Sequence, residues 1–278
     1  MAACGGNKDD EDDVAVGDTS TTQRDLDELA YVPAGNMYQS GIDERITFAL
    51  FQGVPASLVA GDTEVMVAFQ KPGTKVLTEA VRAERKSEGI TDRPYYLVRH
   101  NFDAPGDWGV RATVKGKKPG DAVITINDPA TAAWATPGDA LPKVKTPTLA
   151  DPLGVNPICT RSEGVCPWHD QSLDTLLGNG KPTIVLLATP AWCQSSTCGP
   201  VLDILLAERD RIGTKANIVH VEVFKDTTGK TLSPAFAEFK VTSEPVLLFA
   251  DRNGIVTERF NGPYDASEAR EAVTRLLA

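Results

Sequence analysis

Residues 182–200 read PTIVLLATPAWCQSSTCGP. The first part, Pro182–Thr189, is a continuous apolar run with β-branched content, the pattern of a strand buried on both faces. The last part opens a helix. Pro200–Ile212 is amphipathic, and a proline suits a first helical turn. Between strand and helix stand Cys193 and Cys198, with Trp192 directly before the first and four residues between them. A cysteine near a helix N-terminus feels the positive end of the dipole, which lowers its pKa and raises its thiolate fraction. Cys193 is therefore the candidate nucleophile, and Cys198 the thiol that would resolve a mixed disulfide. The hydroxyls of Ser195, Ser196 and Thr197 can donate to a thiolate or cap the helix.

Outward from this stretch the elements alternate. Gln171–Leu177 reads as a short helix before the buried strand. After the helix come a strand over Asn217–Phe224, a helix over Pro234–Phe239, and strands over Pro245–Ala250 and Ile255–Phe260. A helix over Ala266–Leu277 closes the chain. The order is α-β-α-β-α-β-β-α. Ser243-Glu244-Pro245 stands directly before the third of these strands. In this order, with Trp192-Cys193 between the first strand and its helix, residues 155–278 resemble the thioredoxin-like superfamily. The resemblance places a cis-proline at Pro245, against the reactive cysteine. It is nearest in kind to the membrane-tethered (TlpA-like) thiol–disulfide oxidoreductases of the bacterial envelope. It implies exchange with protein thiols and disulfides: Cys193 attacks, Cys198 resolves and Pro245 shapes the substrate groove. Neither a cofactor nor a metal is implied.

The chain departs from that family in two ways. Thioredoxins separate their cysteines by two residues. Residues five apart on a continuous helix differ by about 140° around its axis and cannot bridge, so either Cys193 sits in a loop before a helix that starts near Thr197, or the pair forms no disulfide. Glu244 adds a carboxylate expected to disfavour the Cys193 thiolate. Other readings stay open. A thiol peroxidase can use two cysteines at this spacing, although Thr189 is four residues before Cys193 rather than three. A copper-delivery protein would join the two thiols to His169 or His220. A binding or scaffold lipoprotein would keep the pair as a static cross-link.

Two more cysteines, Cys159 and Cys166, precede this motif. Four cysteines allow three pairings, and sequence neighbours favour Cys159–Cys166 beside Cys193–Cys198. The first pair is expected to be a structural disulfide. Two close pairs suit an exported protein.

Residues 31–128 have period two. Ile46, Phe48 and Leu50 alternate with polar or small residues, as do Val65, Val67 and Phe69. Trp108, Val110, Ala112 and Val114 form a further set, and Ala122, Ile124 and Ile126 another. Turn signals separate these runs. The expectation is an all-β sandwich, Ig-like in outline, ahead of the α/β thioredoxin-like fold. Residues 129–154 are proline-rich and read as an extended linker. The fold class expected is thus two domains, 31–128 and 155–278.

The chain of 278 residues has a formal net charge of −10. Residues 1–30 alone carry −7 and contain too little apolar spacing to offset the entropy of ordering. They read as a disordered acidic tether. An acidic balance with no basic stripe to displace counterions argues against nucleic acid as a partner. Met1-Ala2-Ala3-Cys4-Gly5-Gly6 looks like the end of a bacterial lipoprotein signal, with Cys4 as the lipidated residue. That reading places the protein in the cell envelope, extracytoplasmic and lipid-anchored to the membrane, since stable anchoring takes more than one acyl chain.

Overall fold

The computed structural model describes residues 28–53, 55–193 and 195–278. Cys4 and nearly all of the acidic tether, 1–30, lie outside the described residues. Among those described, no helix is long and apolar enough to cross a membrane.

Residues 29–127 form ten strands: β1 (Leu29–Pro33), β2 (Tyr38–Gln39), β3 (Gly41–Gln52), β4 (Ser57–Leu58), β5 (Met66–Gln70), β6 (Val81–Arg82), β7 (Glu84–Lys86), β8 (Tyr95–Phe102), β9 (Gly106–Thr113) and β10 (Gly120–Asn127). They build two five-stranded sheets. One runs β1-β3-β8-β7 with β4 on β3; the other runs β2-β10-β9-β5-β6. Ile46, Phe48, Leu50, Val67, Phe69, Trp108, Val110, Ile124 and Ile126 are buried in one core between them, the inward residues that period two selects.

The remaining elements are α1 (Leu173–Leu176), β11 (Thr183–Leu187), α2 (Cys198–Ala207), α3 (Arg209–Ile212), β12 (Asn217–Val221), α4 (Pro234–Glu238), β13 (Val246–Ala250), β14 (Val256–Asn261) and α5 (Ala266–Leu277). Their sheet has the order β12-β11-β13-β14. Strand β11 is parallel to β12 and antiparallel to β13. Every residue of β11 and β13 is buried, which is why both read as unbroken apolar runs. One face is covered by α2 and α5, the other by α1 and α4. The element order expected from the thioredoxin-like resemblance is present. The expected helix over Pro200–Ile212 instead starts at Cys198 and is interrupted at Glu208.

Two expectations need correction. Residues 129–154 contain no helix or strand, yet they are not a free spacer. Leu141 and Val144 are buried against β13 and β14, and the backbone pairs Gly138 N with Val256 O and Leu141 N with Gly254 O. Counting prolines missed the apolar residues among them, whose burial holds the strap down. The solvent face expected on β3 is also covered. Arg45 and Thr47, the polar positions of its alternation, are 6% and 0% exposed. Arg45 makes a bidentate pair with Glu268 of α5, at 2.8 and 3.0 Å, and donates to the carbonyls of Asn261 and Pro263. Tyr95 donates to the same carboxylate. Ile90, Tyr95 and Leu97 enter the α2/α5 core, and Met37 enters the opposite one. The two halves therefore share cores along a common seam. Gly262 closes it. Its φ is +87°, and a Cβ there would clash with the Ala34 carbonyl oxygen.

Candidate active site

The loop after β11 ends in a turn in which Ser196 N donates to Cys193 O and Ser196 adopts φ +56°. This turn solves the spacing problem. It folds Cys193 back so that its Sγ accepts the backbone N–H of Cys198, the first residue of α2, at 3.3 Å. Ser195 Oγ lies 3.2 Å from the same sulfur and 2.7 Å from Thr197 Oγ1. Cys193 is half-buried, and Cys198 is fully buried beneath it. The Cys198 thiol donates to Glu244 Oε2 at 3.5 Å, and Thr189 N–H donates to that oxygen at 3.0 Å. The Glu244–Pro245 peptide bond is cis. Trp192 packs against the loop at Gly229. Among the described residues all four cysteines are free thiols, so neither expected disulfide is formed in this structure.

The electrostatics separate the two thiols. Cys193 is held down at about 5, first by the hydrogen bond from the Cys198 thiol and then by Ser195 and the backbone N–H groups of Cys198 and Thr197, which together outweigh its burial. Cys198 is pushed far up, first by burial and then by its bond to Cys193. Burial, and then the Cys193 charge, push Glu244 up to about 8. The expected repulsion between Glu244 and the Cys193 thiolate is present, since the Cys193 charge raises Glu244, but the donors around Cys193 outweigh what opposes its charge. The carboxylate contacts Cys198, and the donors around Cys193 decide its state. The single Cys198 proton has two acceptors, the Cys193 sulfur and the Glu244 carboxylate.

A second cluster lies behind the first. Cys159, Cys166, His169 and His220 are all buried, and their donor atoms lie within 4.8 Å of one another. His220 stands on β12, and the other three come from the segment before α1. The copper-delivery reading placed a histidine beside Cys193 and Cys198; both histidines of this region go instead to the other pair. Cys159 is held well below the ordinary thiol range, first by its hydrogen bond from Cys166, and the same bond pushes Cys166 up. Sequence reasoning saw each of these residues but not their convergence. The available signal was the run Cys159…Cys166-Pro167-Trp168-His169 followed by a histidine inside an apolar strand.

Thr160 links the clusters. Its Oγ1 accepts from Ala191 N at 3.1 Å and donates to Glu222 Oε1 at 2.9 Å. His220 Nε2 lies 3.0 Å from the carbonyl oxygen of Ala188. The loop bearing Cys193 is tied at both points.

No protein-family profile and no curated protein matches the chain. Among solved structures, a thiol:disulfide interchange protein of the thioredoxin family from Chlorobium tepidum TLS is similar over 53% of this chain and 100% of its own, with 16% identity and a TM-score of 0.33.

Proposed function

We propose that the chain is a thiol–disulfide oxidoreductase acting on protein disulfides or dithiols through Cys193 and Cys198. The observation that carries this reading is the pairing of a half-buried, ionised Cys193 with a buried, protonated Cys198 whose proton faces a carboxylate. The Cys193 thiolate attacks a substrate disulfide, forming one S–S bond to the substrate and releasing the other substrate sulfur as thiolate. That step removes the Cys193 charge, which is one of the two main causes raising Glu244. Glu244 then ionises more readily at the moment a base is needed, and takes the Cys198 proton. Cys198 attacks the Cys193 sulfur, the mixed disulfide breaks, and the second substrate thiolate leaves. Two electrons have passed from the cysteine pair to the substrate, and an external dithiol must return them; the reverse sequence oxidises a dithiol.

A groove of about 690 Å³ reaches the pair, lined by Pro33, Phe224, Leu232, Phe236, Ser195 and Glu244. Its apolar walls suit an extended substrate segment, with Pro245 beside it in the groove-shaping role that the resemblance implies. A redox titration with mass-spectrometric mapping of bridged cysteines tests the reading. A Cys193–Cys198 bond that opens reversibly above roughly −300 mV supports it. A pair that never bridges, or resists reduction, leaves the fold as a binding module and overturns it. We further propose that the reaction takes place outside the cytoplasm, on a chain tethered through lipidated Cys4. The sequence Met1–Gly6 and the acidic segment after it support this. Fatty-acid labelling that persists in Cys4→Ala would refute it.

A further inference from the structure

We propose that Cys159, Cys166, His169 and His220 bind one zinc ion in a closed tetrahedral site. The assignment rests first on geometry. With Zn–S near 2.3 Å and Zn–N near 2.05 Å, a tetrahedron has edges of about 3.3 Å between nitrogens, about 3.6 Å between sulfur and nitrogen and about 3.8 Å between sulfurs. His169 Nε2 lies 3.2 Å from His220 Nδ1; Cys166 Sγ and Cys159 Sγ lie 3.4 and 3.8 Å from that nitrogen. These are the spacings of ligands around a common centre.

The lone pairs point the same way. A carbonyl oxygen only accepts, so the contact to Ala188 places a proton on His220 Nε2, and in the neutral imidazole Nδ1 is then bare and faces the cluster. A backbone carbonyl orienting the far nitrogen of an imidazole is the usual outer partner of a metal-bound histidine. Three groups then crowd one lone pair in a buried space. One cation at the centre accepts four lone pairs together. Two thiolates and a divalent ion also sum to no net charge, which suits a core that would reject an isolated charge. Two sulfurs and two nitrogens in a tetrahedron select zinc among common ions, and four protein ligands leave no open position, the mark of a structural site. Such an ion fixes the loop bearing Cys193 through Ala188 and, by way of Thr160, through Ala191.

The site uses none of Cys193, Cys198 or Glu244, so it stands or falls apart from the exchange reading. The test is the metal content of the reduced full-length chain after incubation with zinc and gel filtration, and the absorption spectrum after replacement by cobalt. About one zinc per chain is expected, with the intense visible bands of tetrahedral cobalt and a thiolate charge-transfer band. Cys166→Ser and His169→Asn should lose the ion, and Cys193→Ser/Cys198→Ser should keep it. A reduced wild-type chain that takes up no zinc, a six-coordinate cobalt spectrum, preferential retention of copper, or loss of the ion in the Cys193→Ser/Cys198→Ser chain would each overturn the assignment. The wild-type count and spectrum decide the matter even if a ligand variant fails to fold.

Discussion

Replacing Cys198 with alanine removes the largest single influence on the Cys193 thiolate. In the wild-type chain that sulfur titrates at about 5, held there first by the Cys198 thiol. A hydrogen bond to a charged acceptor contributes about 1.5–3 kcal/mol, and about 1.4 kcal/mol moves a pKa by one unit. The variant should therefore titrate about one to two units higher. Cys193 is only half-buried, so solvent screening favours the lower end, near one unit. The backbone N–H of residue 198 and the Ser195 hydroxyl remain and limit the rise. The reaction rate at pH 7 is the wrong quantity to measure. Lowering a thiol from 9.0 to about 5 multiplies its ionised fraction by about 100 at neutral pH. The intrinsic nucleophilicity falls by about 40–100-fold over the same shift, so the two effects nearly cancel. The midpoint of the pH profile carries the information. Iodoacetamide labelling of the Cys193 peptide from pH 4 to 9, followed by mass spectrometry, gives it directly. A wild-type midpoint near that of a free thiol, or a Cys198→Ala midpoint that does not move, would refute the assignment of donors.

Glu244→Gln should slow resolution of a trapped mixed disulfide by about 100-fold while changing the first attack by Cys193 only a few-fold; equal losses in both steps would contradict a base at Glu244. In the wild-type chain the resolution rate should climb through a pH of at most about 8, as the carboxylate ionises, and the Gln variant should be flat in the same stopped-flow profile. Glu268→Ala leaves Arg45 buried and unpaired and should lower stability by about 3–5 kcal/mol in denaturant titration; a loss below about 1 kcal/mol would mean the seam is solvated. Burial opposes the Glu268 charge, but Arg45 holds the carboxyl below its usual range. Its contribution is therefore present above about pH 4.3, the unfolded value, and should be lost as pH falls through the lower folded value. Gly262→Ala combines a left-handed backbone with a clash against Ala34 and should reduce stability by at least about 1–3 kcal/mol; an unchanged denaturation midpoint would show that the seam can open there.

The parts of the fold that one strand or helix specifies by itself could be read from the chain. Strands β11 and β13 are apolar throughout because both their faces are covered, and the alternation of Ile46, Phe48 and Leu50 marks the sandwich core for the same local reason. The pair Cys193 and Cys198 was legible as a site because it stands between a buried strand and the helix that follows, although the returning turn at Ser196 was not. Reading failed where contacts come from far along the chain. Arg45 lies on the polar side of the β3 alternation, and nothing near it in sequence announces Glu268, more than two hundred positions away. Cys159 and Cys166 looked like a disulfide because the third and fourth members of their cluster, His169 and His220, are brought in by the fold. Glu244 was legible as a carboxylate near Cys193, but its contact with Cys198 was not, since proximity in a motif does not say which of two sulfurs a carboxylate reaches.

The seam bears on how such a chain can be rebuilt by recombination. A junction drawn at the proline strap looks like a natural place to exchange cassettes, yet the C-terminal half cut there would carry away Glu268 without its guanidinium and expose the pocket that Ile90 and Tyr95 now fill. A donor sandwich would have to bring an arginine and an aromatic at matching register on two neighbouring strands. The halves are therefore matched to each other physically, and a substitution on either side of the seam has to fit the residue it meets on the other.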